Sequence, residues 1–312
     1  MTAEQQPEKA TATRGLFDNA YLVLALACLC WSGNHLMGRA IAGHVPPLTI
    51  TTVRWLLAAA VLFPFIHAQL ARDWPLIRKH MGVLSYLALI GGGIFGALQF
   101  VGLQLTTALN VSVMNSLAPL FIVAASAAMF GDRLTPGQAV GIMVSLLGVL
   151  AIITKLDPHV LTHFSFNTGD VLILINMVLW GIYSASMRWR PAIHPTSFMF
   201  MFCLISGIAM LPAMAWEYST EFRLQPTMLT FGSIAFVTLF STITAFMCWT
   251  RGVELIGPNR AGVFLHLIPI FSALLTGVLL DEPLMGYHVA GFVLILAGVY
   301  FASRDQEVRL TP

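Results

Sequence analysis

Trp31, Asn34 and His35 stand within one turn and a half of each other, and Trp180 and Tyr183 form a similar group about 150 residues further on. Tyr86, Gln99, Asn115 and His266 add a phenol, two amides and an imidazole, each inside a long apolar run. Rings packed on rings contribute roughly 0.5–1.5 kcal/mol beyond the area they bury. Amides and hydroxyls can take up a carboxylate or an ammonium without presenting a fixed charge. The set suits a small zwitterion with an apolar or aromatic side chain. Each member also has a plainer reading as an interhelical hydrogen bond or an interfacial aromatic. Trp216 and Trp249 lie at the ends of their runs and are expected in the interfacial belt.

The ionisable residues narrow the chemistry further. All fourteen acids fall in tails, loops or the last turn of an apolar run, with Asp18, Asp170, Glu217 and Glu254 nearest to one. A charge buried in lipid is costly and tends to be functional. The lack of a mid-run carboxylate therefore argues against proton exchange centred on an acid, against a cationic-drug site, and against an intramembrane transferase. His35 and His266 are the candidate proton carriers, set against the reading of a histidine held by hydrogen bonds. Arg54 lies about a turn inside its run. It could draw in a carboxylate from outside, but is expected to snorkel to the interface. Cys28, Cys30, Cys203 and Cys248 sit in apolar stretches without metal-ligand or disulfide spacing, and no Walker-type loop occurs. No metal, ATP or other cofactor is implied.

The elements that must position these residues follow from composition. Of 312 residues, 57% are hydrophobic and 10% charged, against about 25% charged in a soluble domain. Mean hydropathy is +0.81. A soluble enzyme is excluded, and with net charge +2 and no basic patch so is a nucleic-acid binder. A helix of about 20 apolar residues crosses the bilayer. Ten such spans are expected near 19–38, 49–70, 82–103, 107–130, 136–154, 170–189, 196–216, 227–250, 258–280 and 285–303. Lys9, Arg14, Arg72, Arg78, Lys79, Arg133, Arg188, Arg190, Arg251, Arg260, Arg304 and Arg309 then fall on one side. Arg39, Lys155 and Arg223 fall on the other. Twelve against three places both termini in the cytoplasm.

A shift of 150 residues pairs Leu117 with Leu267, Pro119 with Pro269, Phe121 with Phe271, Asp132 with Glu282, Gly141 with Gly291 and Gly148 with Gly298. Small adjustments pair Trp31 with Trp180 and Pro64 with Pro212. The unit is five spans, an odd number, so the second unit is expected upside down relative to the first. The division expected is a polar tail at 1–17, units at 18–155 and 170–304, and a tail at 305–312. Pro64, Pro119, Pro212 and Pro269 are candidate kinks, with those of the fourth and ninth spans opening one end of a cavity while closing the other. Gly91, Gly92, Gly93 and Gly96 give the third span a small-residue face, for close packing or as a hinge.

Trp31-Ser-Gly-Asn34 resembles the first-span signature of EamA-type members of the drug/metabolite transporter superfamily. So do Leu117-Ala-Pro-Leu-Phe121, Phe130-Gly-Asp-Arg-Leu134 and Gly148-Val149, together with their second-half counterparts Leu267-Ile-Pro-Ile-Phe271, Leu280-Asp-Glu-Pro-Leu284 and Gly298-Val299. Asp132-Arg133 stands where that family more often has Gly-Glu-Arg. The resemblance covers about residues 18–304 and is greatest to bacterial aromatic-amino-acid exporters. It implies an all-α integral membrane fold of ten helices in an inverted five-plus-five repeat, around a central cavity in the bacterial inner membrane. The function it implies is export of aromatic or other apolar amino acids by alternating access. Proton-coupled efflux of drugs or other metabolites and nucleotide-sugar transport remain open beside it. A channel would need a ring of like charges or a carbonyl filter, and neither is evident. The partners expected are the lipid bilayer and a small-molecule substrate, with the chain acting as a monomer and binding no nucleic acid.

Overall fold

The computed structural model describes residues 16–41, 43–106, 108–157, 159–162, 167–219, 224–279 and 284–304. Lys9, Arg14, Arg223, Glu282, Arg309 and most of both tails lie outside these, as does the side chain of His35. Among the described residues there is no strand. Apolar sequence that cannot give its backbone polar groups to water satisfies them within helices. The helices are α1 (Ala20–Ala40), α2 (Pro47–Lys79), α3 (Met81–Leu105), α4 (Ala108–Asn115), α5 (Ala118–Phe130) and α6 (Pro136–Thr154). They continue with the short α7 (His159–Thr162), then α8 (Thr168–Trp189), α9 (Pro195–Tyr218), α10 (Met228–Ile256), α11 (Pro258–Leu279) and α12 (Gly286–Arg304). Seven of them (α2, α3, α6, α8, α9, α10 and α11) are long and apolar enough to cross a membrane. Shorter apolar helices run over Ala20–Asn34, Ala118–Phe130 and Gly286–Ala302.

Local chemistry sets the helix ends. Thr135 and Gln138 form a reciprocal cap ahead of α6, with Pro136 in its first turn. Asn167 and Asp170 do the same for α8. Gly131 closes α5 at φ +69°, a conformation other side chains resist. The start of α2 has no cap of its own. Glu217, from the far end of α9, supplies it by accepting from the backbone N–H groups of Leu48 at 2.9 Å and Thr49 at 2.6 Å. Both Glu217 and Asp170 are buried. These acids are therefore structural clasps, not solvated span ends.

Two spans expected as single helices are interrupted. Residues 107–130 divide into α4 and α5 at Ser116-Leu117, and α11 tightens to a 3-10 turn over Phe264–His266. The breaks stand 150 residues apart, at matched places just before Pro119 and Pro269. Proline has no N–H to give the preceding turn, and the Leu120 N–H bonds back to the Leu117 carbonyl at 3.0 Å. By contrast, α2 and α9 run unbroken through Pro64 and Pro212, which are exposed on the helix surface. The third helix of each half also carries a π segment, Leu89–Gly93 in α3 and Val237–Thr244 in α10.

The pair α6 and α12 packs backbone to backbone. A Cβ on Gly141 would lie 2.6 Å from the Gly298 carbonyl, and one on Gly148 would lie 2.8 Å from that of Gly291. The sequence match pairs Gly141 with Gly291 and Gly148 with Gly298, so the contacts run crosswise. Crosswise contact between equivalent residues is what a two-fold axis perpendicular to an antiparallel helix pair produces.

Candidate functional site

At the centre of the bundle the aromatic rings of both halves meet. Trp31 of α1 and Trp180 of α8 pack edge to face with centroids 5.4 Å apart. Phe246 of α10 lies 5.7 Å from Trp31 and 5.9 Å from Trp180, and Trp249 lies 5.6 and 5.3 Å from them. Phe95, Tyr183, Phe202 and Trp55 extend the cluster onto α3, α9 and α2. Trp249 is fully buried, whereas Trp216 is 66% exposed. The belt expectation is corrected for Trp249: α10 is a 29-residue run and carries this indole inside the bundle. The Trp31 indole N–H donates to the carbonyl of Ser241 at 3.2 Å, within the α10 π segment. A π turn shifts the hydrogen-bond register and frees a carbonyl for such a partner.

One turn from these rings the lining becomes polar. Gln99 follows Phe95 by four residues on α3, and Asn176 precedes Trp180 by four on α8. Asn176 donates to the Gln99 side-chain oxygen at 2.9 Å. The second polar atom of each amide is buried and lacks a hydrogen-bond partner among the described residues, as are the side-chain oxygens of Asn34 and Asn115. Orphaned buried polar atoms are costly, and the adjoining pair on Gln99 and Asn176 marks a place for a polar guest or water.

Arg54 is also buried, 4% exposed, so the snorkelling expectation is corrected. Its guanidinium lies over the rings of Trp55, 4.7 Å from the centroid, and Phe100, at 5.4 Å. It fills the space over Gly96, where a Cβ would meet it at 2.6 Å. Missing side chains on α3 thus hold it inside.

Not every expected residue joins the site. Tyr86 stands apart, its hydroxyl 3.0 Å from that of Ser186 and its ring against Trp189. His266 is buried, with Nδ1 2.6 Å from the Ser145 hydroxyl and Nε2 2.9 Å from the Ser116 carbonyl. Its ring joins the α11 break to the α4/α5 break, the hydrogen-bonded alternative for this residue. Gly91 and Gly92 admit Tyr183 of α8 and Ser206 of α9 against the α3 π segment. All four cysteines are free and buried. No metal-binding group of His, Cys, Asp or Glu occurs among the described residues.

Ion pairs lie at the C-terminal ends of α8 and α10. Arg188 pairs with Asp132, Arg190 with Glu254 at 2.8 Å, and Arg251 with Glu254 at 3.2 Å and Asp18 at 3.0 Å.

Comparison with known proteins places this geometry. The model of the EamA-like transporter family matches residues 18–154 and again 167–304. The uncharacterized transporter YyaM of Bacillus subtilis is 25% identical over 288 residues, covering 91% of this chain and 93% of that one. A probable amino-acid metabolite efflux pump of Salmonella typhimurium is 25% identical over 301 residues, covering 92% and 95%. A solved crystal structure superposes with a TM-score of 0.72 at 24% identity, covering 91% of this chain and 96% of its own.

Proposed function

Because this chain belongs to the EamA-like transporter family, we propose that it exports small metabolites, foremost aromatic and other apolar amino acids, across the bacterial inner membrane. The observation that carries this reading is the cluster of Trp31, Trp180, Phe246 and Trp249 beside the half-paired amides of Gln99 and Asn176. Rings accept an apolar side chain, and the free amide atoms with Asn34 and Asn115 accept its zwitterionic end. Both halves contribute, so a guest held there is released when the halves rock apart. Trp31, Asn34, Gln99, Asn115, Trp180 and Tyr183 are the binding residues in this reading, with Asn176 added. Pro119 and Pro269 mark the moving joints.

The crosswise glycine contacts of α6 and α12 support an inverted repeat, and the clustering of Arg188, Arg190 and Arg251 at one end supports cytoplasmic termini. Ten spans result when α1, α12 and the broken α4/α5 are counted with the seven long helices. The test is uptake of labelled tryptophan, phenylalanine and threonine into proteoliposomes, with and without an imposed pH gradient. Uptake of the two aromatic amino acids that ignores the gradient is expected. Counterflow of an unrelated substrate alone refutes the substrate assignment, and uptake only with the gradient refutes the uncoupled mechanism.

A further inference from the structure

A guanidinium at membrane depth is costly unless something compensates its charge. Arg54 is 4% exposed, and its Nε has no hydrogen-bond partner among the described residues. No carboxylate among the described residues pairs with it: the ion pairs found use Arg188, Arg190 and Arg251. The faces of Trp55 and Phe100 meet the cation, with the Cys203 thiol also near it, and the ring attraction uses none of its N–H donors.

Position links this lone cation to the site. Arg54 reaches Gly96 and Phe100 of α3, and Gln99 lies on that same turn. Whichever way the two amides are turned, the Gln99–Asn176 bond leaves one donor and one acceptor unused. The repeat sharpens the contrast. At the 150-residue offset Gly96 and Gln99 of α3 correspond to Phe246 and Trp249 of α10, which belong to the aromatic cluster. One half fills this level with rings, and the other holds a cation seated over a glycine, beside an amide.

We propose that Arg54, together with the unused amide donor of the Gln99–Asn176 pair, forms the subsite that takes a carboxylate of the transported molecule. The substrate is then a carboxylate-bearing metabolite, with the apolar part on the rings and any ammonium on the unused amide acceptor. A planar guanidinium matches a carboxylate with two parallel hydrogen bonds. A phosphate dianion fits less well, since Arg54 is one cation. This inference rests on the transporter reading but commits to charge, not to aromatic character.

The experiment uses the full-length protein in nanodiscs and reads ligand-dependent shifts in melting temperature over a concentration series. The probes are phenylalanine, phenylacetate, lactate, succinate, inorganic phosphate and phenylalaninamide, which lacks the carboxylate. The wild type is expected to bind phenylalanine and phenylacetate at least tenfold more tightly than phenylalaninamide. Arg54→Gln should weaken the two acids by about 10- to 100-fold while leaving the amide within twofold, and Arg54→Lys should fall between. Equal binding of acid and amide by the wild type overturns the proposal, and this comparison needs no variant to fold. Acid affinity kept within twofold in Arg54→Gln, no binding of any carboxylate, or tighter binding of phosphate than of every carboxylate also overturns it. Lactate or succinate binding through Arg54 while phenylalanine and phenylacetate fail upholds the subsite and refutes the aromatic-substrate reading instead.

Discussion

His266 joins the two breaks in the backbone with one imidazole. Its Nε2–H donates to the Ser116 carbonyl, and its Nδ1 meets the Ser145 hydroxyl, which also reaches the Gly141 carbonyl at 2.8 Å. Replacing the ring with an apolar side chain removes this bond to the Ser116 carbonyl, at a cost of about 0.5–1.5 kcal/mol. His266→Leu should therefore lower the melting temperature of the purified protein. An unchanged value would remove His266 from the joint. A sharper contrast separates the two tryptophans that both lie at the ends of their apolar runs. Trp249→Ala empties a fully buried site and should cost about 3–5 kcal/mol. Trp216→Ala, on the exposed surface, should stay within about 0.5 kcal/mol. Thermal or denaturant unfolding of the two variants side by side checks this, and equal losses would place Trp249 on the outside. Little at this scale was legible beforehand. The residue types of the site were readable because neutral amphipathic side chains are rare in apolar runs. Their partners were not, since Trp31 bonds to a carbonyl 210 residues away.

Helices α5 and α11 each begin or bend at a proline, and both breaks fall at matched places in the repeat. A joint of this kind governs how readily a helix half swings, more than how tightly a guest is held. Pro119→Ala and Pro269→Ala should reduce turnover several-fold while leaving substrate affinity near the wild-type value. Equal transport rates in the purified variants would sink the assignment. The α6/α12 pair answers to packing alone. A methyl on Gly141 would meet the Gly298 carbonyl at 2.6 Å, and forcing the backbones apart costs about 1–3 kcal/mol. Gly141→Ala should lower stability by that amount, whereas Gly82→Ala, with nothing within 4 Å, should not. A stable Gly141→Ala protein would mean that the pair adjusts freely. At this scale the sequence did better. Apolar runs, prolines and glycines located nearly every helix, because those signals act through the local backbone. The π segments of α3 and α10 escaped it, since each is settled by contacts from other helices, such as Tyr183 against Gly91.

In the whole molecule the rings of Trp180 and Trp249 lie within about two helical turns of the ion pairs of Arg188, Arg190 and Arg251. The ion pairs are partly exposed, and such pairs contribute only about 0–1 kcal/mol each. The buried rings are therefore expected to hold this end of the bundle more firmly than the ion pairs do. Glu254 holds two of the four pairs found among the described residues. Glu254→Gln is expected to speed alkylation of the buried Cys248 by a small maleimide about fivefold or less. Trp180→Ala should speed it more, and the reverse order would invert this ranking. The sequence by itself determined the membrane class, the helical content and the two-fold repeat. Those follow from composition and from breakers whose effect is local. The tertiary structure alone decided that Arg54 turns inward, that Trp249 is central, that Tyr86 stands apart and that His266 ties two breaks together. Each of these depends on which face of a helix meets which neighbour across one to two hundred residues of chain. In a helix apolar on nearly every side, no periodic pattern records that choice.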